Sequence, residues 1–195
     1  SEWESVLSAA NVKAMYLGKN DAIQRASVID FLLRDRENPS SVMSVVEAAR
    51  SNARLVRVAL TREVWEAVND TWMRLKDALA RPVSDADLPN VLELIRQQSA
   101  QVRGALHGTM LRNDIFNFCR IGTFLERSDN VARILDVKYY VLLPSVSMVG
   151  TSIDNYQWEA ILRSAAAERS FAWLNKDSGP RTIAEFLILD RRLPR

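Results

Sequence analysis

The sequence predicts an all-α fold, a helical bundle carrying an internal duplication. Three observations predict it. Apolar residues recur three and four positions apart along most of the chain, the period of one helix face. Glycine and proline number six each, too few for a turn-dense β protein, and no strand-like alternation persists. Residues 1–40 also reappear at 156–195, an offset of 155, without a gap.

In chain order, Asn38-Pro39-Ser40-Ser41 reads as a helix start, with Asn38 as cap and Pro39 in the first helical position. The helix is expected to run to about Leu60 and to bury Val42, Val45, Val46, Ala49, Ala53, Val56 and Leu60. Thr61 can cap a second helix over 62–80, with Val64, Val68, Trp72, Leu75 and Leu79 inside. The stretch 81–89 is a loop. Helices are expected over 90–110 and 112–142, the second stopping before Pro144. In that long helix Phe118, Leu125, Ala132 and Leu135 read as core. A loop at 144–153 leads to a helix from Asp154 to Leu174. Gly179-Pro180 breaks the chain, and Thr182 with Glu185 forms a capping box for a short last helix. Trp3, Trp65, Trp72, Trp158 and Trp173 sit at helical spacings, as core or repeat-interface residues.

The chain is 195 residues long, 48% hydrophobic and 26% charged, which suits a single globular domain. Its net charge of +2 makes no strong field for nucleic acid or anionic lipid. No basic tract carries interleaved aromatics, so nucleic acid is not an expected partner. No apolar run reaches bilayer length, and no signal-peptide pattern opens the chain. The lone cysteine, Cys119, excludes an internal disulfide framework and reads as a small buried residue. Together these point to the cytoplasm. Lysine stands only at 13, 19, 76, 138 and 176, the other basic residues being arginine. That predicts Arg–carboxylate pairs between helices, or else reflects a GC-rich genome.

The repeat aligns Trp3-Glu4 with Trp158-Glu159, Leu7 with Leu162, Asn20 with Asn175, Phe31-Leu32 with Phe186-Leu187, and Asp35-Arg36 with Asp190-Arg191. Ten of forty positions are identical, where composition alone gives roughly two or three. Conservative pairs such as Tyr16/Phe171 and Val28/Ile183 add to them. A helix precedes the second copy and helices follow the first. The repeat therefore predicts a chain truncated at both ends, cut from a pseudo-twofold protein of about two such units. Helix faces left bare by the truncation would offer a route to oligomers.

Two constellations could carry chemistry. On the long helix Glu126, Asn130 and Arg133 share a face beside Arg127, and Asp129 precedes Arg133 by four residues. They form either a polar seam inside the bundle, holding a ligand or a partner's side chain, or an ion pair that fixes helix register. Arg50, Arg54 and Arg57 with Asn52 form either a phosphate or carboxylate site or an exposed basic face paired with Glu47 and Glu63. His107 is the only histidine. Residue 104 is glycine, so no Glu-x-x-His element forms, and one Cys with one His does not make a zinc site. Phosphate-loop, dinucleotide and nucleophile-elbow motifs are absent, and no cofactor is expected.

Several segments together resemble the bacterial alpha-E family, an all-helical domain named for a Glu-Arg motif. They are Leu33–Ser41, Ala49–Arg57, Trp65–Asn69, Phe124–Val137, Leu142–Ser145 and Ala184–Asp190, in order along nearly the whole chain. The Glu-Arg pair falls on Glu126-Arg127. The family's earlier Glu-Arg helix near the N-terminus has no counterpart here. The resemblance implies a component of a peptide- or amide-forming system, beside ATP-grasp peptide-ligase-like and transglutaminase-like proteins. The expected role is a helical interaction or scaffold domain; the alternative is an enzyme or small-ligand site at Glu126, Arg127, Asn130 and Arg133.

Overall fold

The computed structural model describes residues 2–140, 149–175 and 179–193. Among them lie ten α-helices and no strand. The chain divides into two compact units, one of residues 12–120 and one of 1–11 with 121–195.

The first unit holds α2 (Lys13–Leu17), α3 (Arg25–Leu33), α4 (Val42–Leu55), a 3-10 turn (Arg57–Ala59), α5 (Arg62–Ala78) and α6 (Leu88–Thr109). α5 packs against α4 and α6. Both pairings are antiparallel, since Arg57 meets Trp65 while Arg50 meets Asn69, and Thr61 meets Thr109 while Thr71 meets Gln98. Ala53, Val64, Val68, Met110 and Phe116 form one core cluster, bordered by Leu60, Trp65 and Leu106. Thr61 caps α5 as expected, accepting the Val64 N–H.

Three expectations for α4 are corrected. Ser41, not Asn38, is its cap, accepting the Ser44 N–H, and Pro39 lies outside the helix. Asn38 is buried and closes the preceding turn: its amide donates to the Phe31 carbonyl, and its side-chain oxygen accepts the Ser40 N–H. α4 ends at Leu55 rather than Leu60. Its buried stripe also lies one residue around from the expected one. Met43, Val46, Arg50 and Ala53 turn inward to varying depth, while Val45, Ala49 and Val56 are exposed. The aliphatic stem of Arg50 can occupy an inward position that periodicity assigns to an apolar residue.

The second unit holds α1 (Glu2–Ala9), most of α7 (Asp114–Tyr140), α8 (Ser152–Ser164), α9 (Glu168–Leu174) and α10 (Pro180–Leu189). Its core joins Leu135, Trp158, Ile161, Leu162, Phe171, Ile183, Phe186 and Leu187. Of the residues read as core on α7, only Leu135 is buried; Phe118, Leu125 and Ala132 are exposed. Trp173 is also exposed, and Trp3, Trp65 and Trp72 are partly so. α10 starts at Pro180 after Gly179, so Thr182 falls inside the helix and does not cap it. The end of α7 expected before Pro144 lies outside the described residues. Among the described residues most arginine ion pairs run along one helix, as in Arg62–Glu66 and Arg74–Asp70, rather than between helices.

The two repeat segments share local structure position by position. α1, α2 and α3 end or begin at the residues that α8, α9 and α10 do, allowing for the offset, within two residues at the C-termini. The expected single helix over 154–174 is therefore two. Its break falls at Ala166, with φ of 52°, and the matching Asn11 has φ of 56°. Tyr16 meets Phe31 edge-on at 5.3 Å, and Phe171 meets Phe186 edge-on at 5.2 Å. Asn20 donates from its side chain to the Tyr16 carbonyl at 3.0 Å; Asn175 does the same to Phe171 at 3.3 Å. Asp35 and Asp190 each accept the backbone N–H two residues on.

A left-handed alanine is strained, whereas asparagine tolerates that region. Ala166→Gly is therefore expected to stabilise the chain by about 0.5–1 kcal/mol, and Asn11→Gly by less. Urea unfolding followed by circular dichroism measures both. A loss of stability in Ala166→Gly would show that the turn carries no strain.

Candidate functional site

α7 carries the first constellation along 27 residues of helix. Arg133 Nε donates to Asp129 Oδ2 at 2.7 Å. That hydrogen bond raises the guanidinium above its ordinary pKa against a small desolvation effect, helped by the charges of Asp129 and Glu126. Glu126 and Asn130 are exposed, while Arg127 and Arg133 are half-buried. The residues thus lie at the surface rather than in a buried seam, and the Asp129–Arg133 pair is solvated. Arg127 and Asn130 border a cavity of about 340 Å³. Its other walls include Val131, Ile134, Ala167 and Leu187. Glu126 and Arg133 are not among its lining residues. Beside the Glu-Arg pair, Ile121 and Leu125 stand one turn apart, with Leu125 66% exposed.

The second constellation has a different geometry from the expected one. Arg57 lies over the Trp65 ring, 5.0 Å from its centroid. Arg50 donates from Nε to Asn69 Oδ1 at 2.7 Å and lies 4.2 Å from the Trp72 centroid. Arg54 and Asn52 are exposed. Glu47 pairs with Arg36 instead. Among the described residues no carboxylate pairs with Arg50, Arg54 or Arg57, so the proposed partners Glu47 and Glu63 do not neutralise this face. Aromatics do interleave with basic residues here, across two helices rather than along one tract.

Sequence reasoning missed a third feature. Lys138 and Asp154 are both buried and paired, Nζ to Oδ1 at 2.6 Å. Lys138 also donates to Gln157 Oε1 at 2.7 Å, and the Gly150 N–H donates to Asp154 Oδ2 at 2.9 Å. Burial works to raise the Asp154 carboxyl. The Lys138 hydrogen bond, the Gly150 N–H and the Lys138 charge outweigh it, and the carboxyl ends below its ordinary range. The Trp158 indole N–H faces the same carboxylate and adds to the lowering without reaching hydrogen-bond geometry. Asp154 and Trp158 border a largely apolar cavity of about 370 Å³ with Tyr139, Ala184 and Ile188. The available signal was an isolated lysine and aspartate on two flanking helices. A second Glu-Arg pair, Glu168-Arg169, opens α9, with Glu168 3.5 Å from Arg163.

Cys119 is exposed, against the expectation of burial, because it lies on the outer side of α7 near Phe118. His107 packs edge-on to Phe116 at 5.5 Å. Among the described residues no cluster of three or more His, Cys, Asp or Glu could hold a metal ion. No described helix is long and apolar enough to cross a membrane.

No curated protein and no solved structure matches this chain. One family does, over residues 1–195, described as a predicted alpha-helical domain with a conserved ER motif. A helical architecture without strands among the described residues accords with that description. The chain belongs to the alpha-E family.

Proposed function

We propose that this chain is a helical interaction domain of a peptide- or amide-bond-forming system, and that it docks on an ATP-grasp-type ligase through the Glu-Arg stretch of α7. One observation carries the docking: Leu125 stands in the open next to Glu126 in the helix, with the exposed Ile121 one turn before it. Large apolar side chains next to charged ones make the mixed surface that a protein partner covers. The choice of partner rests on the family resemblance alone. A transglutaminase-like protein is the other candidate from the same source.

The test is direct titration of the ligase into the full chain, with Leu125→Asp and Glu126→Ala as comparison variants. Leu125→Asp is expected to weaken binding by about tenfold or more, with helicity unchanged. Glu126→Ala is expected to weaken it less. Binding of a transglutaminase-like protein in place of the ligase would keep the interface and change the partner.

A second reading has one observation in its favour. Arg127 and Asn130 border a cavity with apolar walls, an arrangement suited to a small carboxylate with an apolar body. Calorimetry with short peptides and Arg127→Ala separates it from the docking reading.

A further inference from the structure

Arg50, Arg54 and Arg57 stand at i, i+4 and i+7 on α4 and the turn after it, and α5 runs antiparallel beside them with Trp65, Asn69 and Trp72 at the same spacing. Arg57 rests over Trp65, and Arg50 over Trp72, whose ring also carries Lys76 at 4.9 Å. An indole face holds a cation in place without cancelling its charge. Among the nearby carboxylates Glu47 pairs with Arg36, Glu66 with Arg62 and Asp70 with Arg74, and Glu63 pairs with none of the three arginines. Arg54, between the two stacked arginines, is exposed and has no ion pair among the described residues. The result is a strip of three guanidinium groups, two of them pre-ordered. Directly after Arg54 and Arg57 in the chain, Leu55 is 83% exposed and Val58 fully so.

We propose that this strip is a docking site for an acidic, amphipathic peptide segment. Guanidinium forks donate to carboxylate and phosphate alike, so the charges alone do not choose between them. The apolar neighbours do. A phosphate backbone would leave Leu55 and Val58 in water, whereas a peptide with leucine-type side chains beside its carboxylates covers them. The spacing agrees: Trp65 and Trp72, the rings under Arg57 and Arg50, lie seven residues apart on α5, about 10 Å or two turns of helix. A helix with Glu at i, i+4 and i+7 presents three carboxylates over that length. This strip shares no residue with the α7 stretch and does not depend on the function proposed for it.

The probe is a fluorescein-labelled helical peptide with three Glu spaced four and three apart and Leu beside each, titrated with the full chain and read by fluorescence anisotropy. Oligothymidylate of similar charge is the control ligand. Arg54→Glu is the main variant, because its exposed side chain leaves the fold intact, which circular dichroism checks. The proposal predicts saturable peptide binding that weakens about tenfold or more in Arg54→Glu, changes less in Arg54→Lys, and falls with added salt. It is overturned by absence of saturable binding, by equal binding to Arg54→Glu, or by tighter binding of oligothymidylate than of peptide.

Discussion

Asp154→Asn is expected to cost about 3 kcal/mol of stability, because it leaves Lys138 buried without a counter-ion. That is the lower end of the range for broken buried pairs. Lys138 keeps its hydrogen bond to Gln157 Oε1, which softens the penalty. Lys138→Met should do comparable damage by stranding the carboxylate, with the Gly150 N–H still holding one of its oxygens. The double variant Lys138→Met, Asp154→Leu should recover most of the loss, since replacing a buried pair with apolar groups is often neutral. Urea midpoints for the three variants measure this. Additive losses in the double variant would mean that the two groups do not act as a pair.

The same pair predicts a pH dependence of definite sign. The Asp154 carboxyl titrates lower in the folded chain than in the unfolded one, through Lys138 and Gly150 acting against burial. The unfolded state therefore takes up a proton first as pH falls. The stabilisation is complete above the ordinary carboxylate pKa and is lost as pH drops through it toward the folded value. Asp154→Asn should flatten that part of the stability curve. An unchanged acid slope would assign the acid sensitivity to other carboxylates.

Trp158→Ala is expected to cost about 3–5 kcal/mol. Trp158 is 1% exposed and packs with Leu135, Ile161, Leu162, Phe171, Phe186 and Leu187. Tyr139 meets it edge-on at 5.8 Å, and the Lys138 ammonium lies 5.5 Å from its centroid. Its removal opens a cavity and also wets the Lys138–Asp154 pair. Trp173→Ala is the control: that ring is 88% exposed, so the change should stay within about 0.5 kcal/mol. Trp3, the repeat partner of Trp158, is half-buried and should fall between them. Equal effects at Trp158 and Trp173 would contradict the assigned core.

The helices were legible where caps and breakers mark them. Thr61 starts α5, Gly179-Pro180 ends one segment and starts the next, and the acidic, proline-flanked stretch before Leu88 separates α5 from α6. The break between α8 and α9 was not, because Ala165-Ala166-Ala167 contains no breaker. The repeat held the clue, since Asn11 at the matching position is a residue type that tolerates a left-handed turn. Burial on α7 was illegible for a different reason. Phe118 and Leu125 have the spacing of core residues, and periodicity alone does not tell a face packed within the chain from one left open. The Lys138–Asp154 pair was missed because its members lie 16 residues apart on different helices, α7 and α8. The lack of carboxylate partners for Arg50, Arg54 and Arg57 was likewise hidden, since Glu47 is near in sequence but engaged by Arg36.

Docking through α7 is the proposal on which the proposed function rests. Its most direct test is calorimetric titration of an ATP-grasp-type ligase into the full chain and into Leu125→Asp and Glu126→Ala, each with its thermal midpoint measured. Docking through α7 predicts binding to the unaltered chain, weakened by about tenfold or more in Leu125→Asp, at an unfolding midpoint close to that of the unaltered chain because Leu125 and Glu126 are exposed. Equal affinity for all three proteins, or a large fall in the midpoint of Leu125→Asp, would contradict it: the first would remove α7 from the interface, and the second would return Leu125 to the core.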